Sequence, residues 1–163
     1  QQRAGRLSGR IGASTELRDF AATGEEALAP STAQRNLGLF AYEEFDLGRA
    51  RLMAGGRFDR TAYDTEERDG TADGDLVPPA TRDRTFTGGS AAFGVHVDVA
   101  KDTALVSTVT RFYRAPALEE LYNFGPHVGN LAFEVGNTEL DRESTLGLDV
   151  SLRHRSARAR GEI

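Results

Sequence analysis

The feature that most constrains this chain is a side-chain period of two, sustained over long stretches. Ala91, Phe93, Val95, Val97 and Val99 alternate with Ala92, Gly94, His96 and Asp98. Leu146, Leu148, Val150 and Leu152 alternate with Gly147, Asp149 and Ser151, and Leu52, Ala54, Gly56 and Phe58 with Met53, Gly55 and Arg57. Successive side chains of a strand point to opposite faces, so each stretch reads as a strand with one apolar and one polar face. Weaker alternation runs through Leu7, Gly9, Ile11 and Ala13 and through Leu37, Leu39 and Ala41, while residues 104–114 are mixed. The pattern predicts strands near 3–17, 36–46, 49–63, 84–99, 103–114 and 142–154, with a seventh starting near Gly161. Several reach the roughly 9–11 residues that a tilted strand needs to cross a bilayer. Strands of globular proteins are usually about 5–6 residues long.

The connections alternate too. Asp46-Leu47-Gly48, Ala100-Lys101-Asp102 and the segment 155–160 are short, whereas 18–35, 64–83 and 115–141 are long. In an antiparallel meander this places every short turn at one end and every long loop at the other, as in outer-membrane barrels with short periplasmic turns and long extracellular loops. Phe20, Phe58, Tyr63, Phe86, Phe112, Tyr113 and Tyr122 fall near the long-loop ends and are expected to form an aromatic girdle there. The expected fold is all-β: an antiparallel up-and-down transmembrane barrel, incomplete, with about six to seven strands of a larger barrel. The polar parity carries Arg57, Asp59, His96, Asp98, Asp149 and Arg153. Only a wide, wet or plugged lumen accepts these without burying bare charge. Open edges are intolerable in lipid, so further strands are expected to complete the wall.

Composition excludes several classes. Hydrophobic residues make up 39% and no apolar run reaches the roughly 20 residues of a membrane helix. Cys is absent, which removes disulfides and thiolate metal sites. The net charge is −5 and no basic patch stands out, which argues against a nucleic-acid partner. The basic stretch from Arg153 to Arg160 is more simply a turn beside lipid headgroups. No G-x-S-x-G elbow occurs, and Gly88-Gly89-Ser90 is not followed by a helix pattern, so catalysis has no support and no enzyme is expected.

The segment Arg111-Phe112-Tyr113-Arg114-Ala115-Pro116-Ala117-Leu118-Glu119-Glu120-Leu121-Tyr122 resembles a signature of TonB-dependent outer-membrane receptors, F-R-A-P followed by E-E-L-Y. Asn123-Phe124-Gly125-Pro126-His127, Phe133-Glu134-Val135-Gly136-Asn137 and Leu140-Asp141-Arg142-Glu143 continue it, with Arg142 standing where the family has Pro. Residues 19–27, with Pro30, look like a loop of the subgroup related to zinc and other metal receptors. Residues 1–163 are therefore expected to be part of a receptor barrel. The resemblance implies that a plug domain and the remaining strands lie elsewhere in a longer chain and that TonB is engaged through an N-terminal part. The resemblance implies uptake of a scarce ligand, such as a metal ion like Zn²⁺ or a metal chelate, and localisation in the bacterial outer membrane beside its lipid. No resident cofactor is expected.

Pro116 lacks an N–H and fixes φ, so it ends the ladder and opens a helical turn. Glu119 and Glu120 fall in the first turn, and Leu118, Leu121 and Tyr122 share one face, which predicts a short cap at the outer end of its strand. For a ligand site, imidazole and carboxylates in the long loops are the candidates: His127, Glu25, Glu26 and Glu134. His96 is expected to be a hydrogen-bonded wall residue and His154 to lie idle near a short turn. Two other classes remain open at this point, a soluble antiparallel meander that binds a ligand and an outer-membrane barrel enzyme.

Overall fold

The structure, a computed structural model, describes residues 2–24, 27–67, 77–127, 129 and 131–163. Its elements run β1 (Gln2–Ala4), β2 (Leu7–Phe20), β3 (Thr32–Asp46), β4 (Ala50–Thr65), β5 (Arg84–Ala100), β6 (Thr103–Arg114), α1 (Leu118–Tyr122), β7 (Phe124–His127), β8 (Ala132–Val135), β9 (Glu143–Arg155) and β10 (Arg160–Glu162). Eight of the strands form one antiparallel sheet in the order β1-β2-β3-β4-β5-β6-β9-β10, so the chain meanders without a crossover. β7 and β8 form a separate hairpin between β6 and β9. The sheet stays open, with β1 and β10 as its edges.

The sheet has eight strands instead of six or seven because the expected first strand is two. Gly5 takes a φ of 61° and turns the chain, with Arg6, between β1 and β2. β2 and β3 also extend further than the alternation suggests, which shortens their connection to 21–31. Their register continues unbroken to Phe20↔Thr32. The alternation of connections holds, from the turn at Gly5 and Arg6 through to 156–159.

Cross-strand partners share a face. Leu7, Phe45, Leu52 and Val95 are partners in succession across β2 to β5, and Phe93, Val109 and Leu148 carry the row on across β5, β6 and β9. The apolar parity is therefore continuous across the sheet, and it is uncovered: Ile11 is 78% exposed, Leu146 76% and Leu148 69%. The other face is polar, and some of its charges are paired across it. Arg57 pairs with Asp59 at 2.7 Å and donates to Ser14 Oγ at 2.9 Å.

A buried core cluster forms on that polar-parity face at the long-loop end, while Ala104 and Val106 are buried singly nearer the short turns. Ala29, Tyr63, Phe86, Leu118, Leu121 and Tyr122 compose it, with Phe20, Tyr113, Ala115 and Leu140 packed against them. This corrects the aromatic girdle. Tyr63, Phe86 and Tyr122 are 3%, 6% and 0% exposed, and only Phe58 and Phe112 keep about half their surface, at 52% and 48%. The reason is parity. Tyr63 and Phe86 stand on the same side of the sheet as Asp59, and the segment after β6 folds over them.

Candidate functional site

The connection between β6 and β9 lies as a lid on the polar-parity face at the long-loop end. It begins where Pro116 interrupts the ladder. Leu118, Leu121 and Tyr122 are 1%, 0% and 0% exposed, as their shared helical face predicts. Full burial of such side chains stabilises by about 1.5–3 kcal/mol each, far more than the exposed ion pairs around them at about 0–1 kcal/mol. Burial thus holds the lid down, and polar contacts fix its register.

Those contacts come from strands distant in sequence. Tyr63 donates its hydroxyl to the Pro116 carbonyl at 2.8 Å. Tyr122 donates to the Arg82 carbonyl at 2.8 Å, and Arg84 to the Leu140 carbonyl at 2.8 Å. Arg18 pairs with Glu119 at 3.3 Å, and Arg82 with Glu139. The connection 21–31 joins through the Phe124 N–H, which donates to the Leu28 carbonyl at 2.8 Å. All three long connections are therefore tied together. Sequence reasoning missed Arg18, Tyr63, Arg82 and Arg84 as anchors, since nothing local marks them.

Glu120 ties the lid to its own strand. It accepts two hydrogen bonds from the Arg114 guanidinium, at 2.9 and 3.0 Å, and one from the Ala117 N–H at 2.7 Å. The Arg114 guanidinium, and next the Ala117 N–H, hold its carboxyl below the usual carboxylate range. Burial pushes the Tyr122 phenol up.

The hairpin β7–β8 rises from this base. Gly136 packs against α1 so closely that a Cβ there would lie 2.7 Å from the Leu121 main chain, and its N–H donates to the Asn123 carbonyl at 2.6 Å. Phe124 and Phe133 meet edge to face, ring centres 5.1 Å apart. Of the four candidate ligands, the structure brings two together. His127 Nδ1 lies 2.8 Å from Glu134 Oε1, and Glu134 Oε2 accepts a hydrogen bond from Asn123 Nδ2 at 2.6 Å. Glu25 and Glu26 lie outside the described residues. Among the described residues, no group of three or more His, Asp or Glu side chains is placed to hold a metal ion.

The pair has a chemical consequence. A carboxylate on Nδ1 selects the tautomer with its proton there and leaves the Nε2 lone pair for an external group. Asn123 orients the carboxylate in turn. His127 is about half exposed on the β7–β8 hairpin. The other two imidazoles lie elsewhere. His96 Nε2 lies 3.2 Å from Asp98 Oδ1, as expected of a wall residue, and His154 Nδ1 lies 2.9 Å from Thr103 Oγ1 beside a short turn.

A family model described as TonB dependent receptor-like, beta-barrel matches residues 5–162. No curated protein matches the chain. Among solved structures, the chain is similar to a double mutant of the Serratia marcescens hemophore receptor HasR in complex with its hemophore HasA and heme. The TM-score is 0.64 at 18% identity, over 92% of this chain and 30% of that one. That likeness is one of fold, and the chain spans less than a third of the receptor's length. The match is to the barrel family as a whole and does not single out its zinc or metal subgroup. With the meander, the exposed apolar parity and a family match over nearly its whole length, the chain belongs to the TonB-dependent receptor-like β-barrel family.

Proposed function

We propose that this chain is part of the barrel wall of an outer-membrane receptor that imports a scarce ligand with energy supplied through TonB. The observation that carries this reading is the bare apolar face. Leu7, Ile11, Leu39, Phe58, Phe93, Leu146 and Leu148 are all more than 40% exposed on one side of the sheet. Soluble monomers rarely show a contiguous apolar patch larger than a few hundred Å². Lipid removes the conflict, and the face counts against a soluble meander. The open edges β1 and β10 then require further strands, because unpaired backbone groups are not tolerated in hydrocarbon. Those strands, a plug domain and TonB are the partners this reading needs. It assigns transport to the assembled receptor and no catalysis to this chain.

Within the reading, the ligand is a metal chelate with an open coordination position, and His127 supplies one nitrogen to it. Glu134 serves as the group that orients the imidazole and is no longer a free ligand. A bare Zn²⁺ site takes three or four protein ligands, whereas a chelated metal is satisfied by one or two. HasR, the structural neighbour, is seen with a hemophore and heme, which supports a chelate as cargo.

The test is titration of the full-length receptor in detergent with hemin and, separately, with Zn²⁺, for the wild type and His127→Ala. Hemin binding should give an absorption change that His127→Ala removes. Tight, His127-dependent Zn²⁺ binding with no hemin response would overturn the chelate assignment.

A further inference from the structure

Cations at the two ends of the sheet are treated differently. At the long-loop end nearly every arginine has an internal partner. Arg18 meets Glu119, Arg35 meets Asp64, Arg82 meets Glu139, and Arg114 meets Glu120 and Glu143. Arg84 and Arg142 donate to main-chain carbonyls, and Arg60 is the exception among the described residues. At the short-turn end Arg153 on β9 meets Glu162 at 2.9 Å, but in the turns themselves the pattern inverts. Each of the four turns carries an exposed cation: Arg6, Arg49, Lys101 and Arg158. Among the described residues, the side chains of Arg6, Lys101 and Arg158 have no hydrogen-bond or ion-pair partner, and the Arg49 guanidinium reaches only the Asp98 carbonyl, at 3.4 Å.

The acids nearby do not answer these charges. Asp46 accepts from the Gly48 N–H at 2.7 Å, Glu44 from the Tyr42 hydroxyl at 2.7 Å, and Asp98 faces His96. The turn cations also stand at the margin of the exposed apolar face, beside Leu7, Leu47 and Val99. A cation there can lay its alkyl stem on the apolar margin and put its charge in the headgroup layer.

We propose that the short-turn rim binds anionic phospholipid headgroups, one cation from each successive turn meeting the phosphate layer of the leaflet on that side. This rests on the membrane reading above. It adds a lipid class and a set of residues to it. The turns, and not the strands, carry the charge because only they reach the headgroup plane while the parity beside them stays in hydrocarbon. A segment-scale basic cluster is attracted to anionic lipid by about fivefold in affinity per cation near the surface.

The experiment uses the full-length receptor in mixed vesicles of phosphatidylethanolamine and phosphatidylglycerol, extracted and examined by native mass spectrometry for retained lipid. Wild type should retain phosphatidylglycerol over phosphatidylethanolamine. The variant Arg6→Gln, Arg49→Gln, Lys101→Gln, Arg158→Gln should lose that preference by roughly tenfold or more, and Arg35→Gln at the other end should keep it. Equal retention in wild type and the quadruple variant would overturn the proposal, as would an equal loss in Arg35→Gln. Single Lys101→Gln and Arg158→Gln variants, each expected to lose part of the preference, keep the test informative if the quadruple variant fails to fold. Heat-modifiable gel migration reports membrane folding separately. Failure to fold into vesicles refutes the membrane reading, whereas normal folding without lipid preference refutes only the headgroup assignment.

Discussion

Leu148 and Asp149 are neighbours on β9 and face opposite sides of the sheet, so one substitution made at both positions separates lipid from water. Leu148 is 69% exposed, and its partner Val109 on β6 is 46% exposed. Little protein packing is lost when Leu148 becomes Arg. In a soluble sheet such a surface change stays within about ±0.5 kcal/mol. In a barrel wall, Leu148 sits well inside the apolar stretch Leu146 to Leu152, and an arginine near the bilayer midplane costs about 2–4 kcal/mol. At 1.4 kcal/mol per factor of ten, that lowers the folding constant by roughly 30- to 700-fold. Asp149→Arg, on the polar face, should cost far less. Leu152→Arg, nearer the short turn, should fall at about 0–1 kcal/mol. The assay is reversible denaturant unfolding of the full-length receptor in vesicles. A Leu148→Arg change that is neutral or stabilising, or one that matches Asp149→Arg, would refute the assignment of the apolar parity to lipid.

Leu121→Ala removes a fully buried side chain from the lid and should cost about 2–5 kcal/mol. Hydrogen exchange should rise locally over 117–137 while the strands stay protected; uniform loss of protection would show that the lid is no separate unit. Glu120 adds a pH dependence. Its native pKa is depressed below the ordinary 4.5, so its contribution is fully present above that value and is lost as pH falls through the native one. Lid exchange should therefore accelerate in acid, and Glu120→Gln should flatten that response; an unchanged acid response would remove Glu120 from the lid's anchoring.

Much of the wall was legible because its causes are local. Alternation, turn residues and loop lengths place β3 to β6 and β9 within a few residues of where they lie. The proline, the two acids and the apolar triplet after Arg114 likewise announce α1. The N-terminal strand was read as one because Gly5 and Arg6 interrupt it without changing the parity pattern. The candidate ligands were legible as residue types, yet their arrangement was not. Only the hairpin brings Glu134 Oε1 within 2.8 Å of His127 Nδ1.

The sequence by itself determined that this chain is an alternating meander with one apolar face, unequal ends and the motifs of its family. Side-chain alternation is written into each strand by its backbone, whatever surrounds it. Tertiary structure decided where the aromatics go and what closes the long-loop end. Tyr63 and Phe86 turned inward under the lid, and Arg18 met Glu119 across 101 residues of chain. Such contacts depend on how strands stack their ends in space, and no local pattern encodes that.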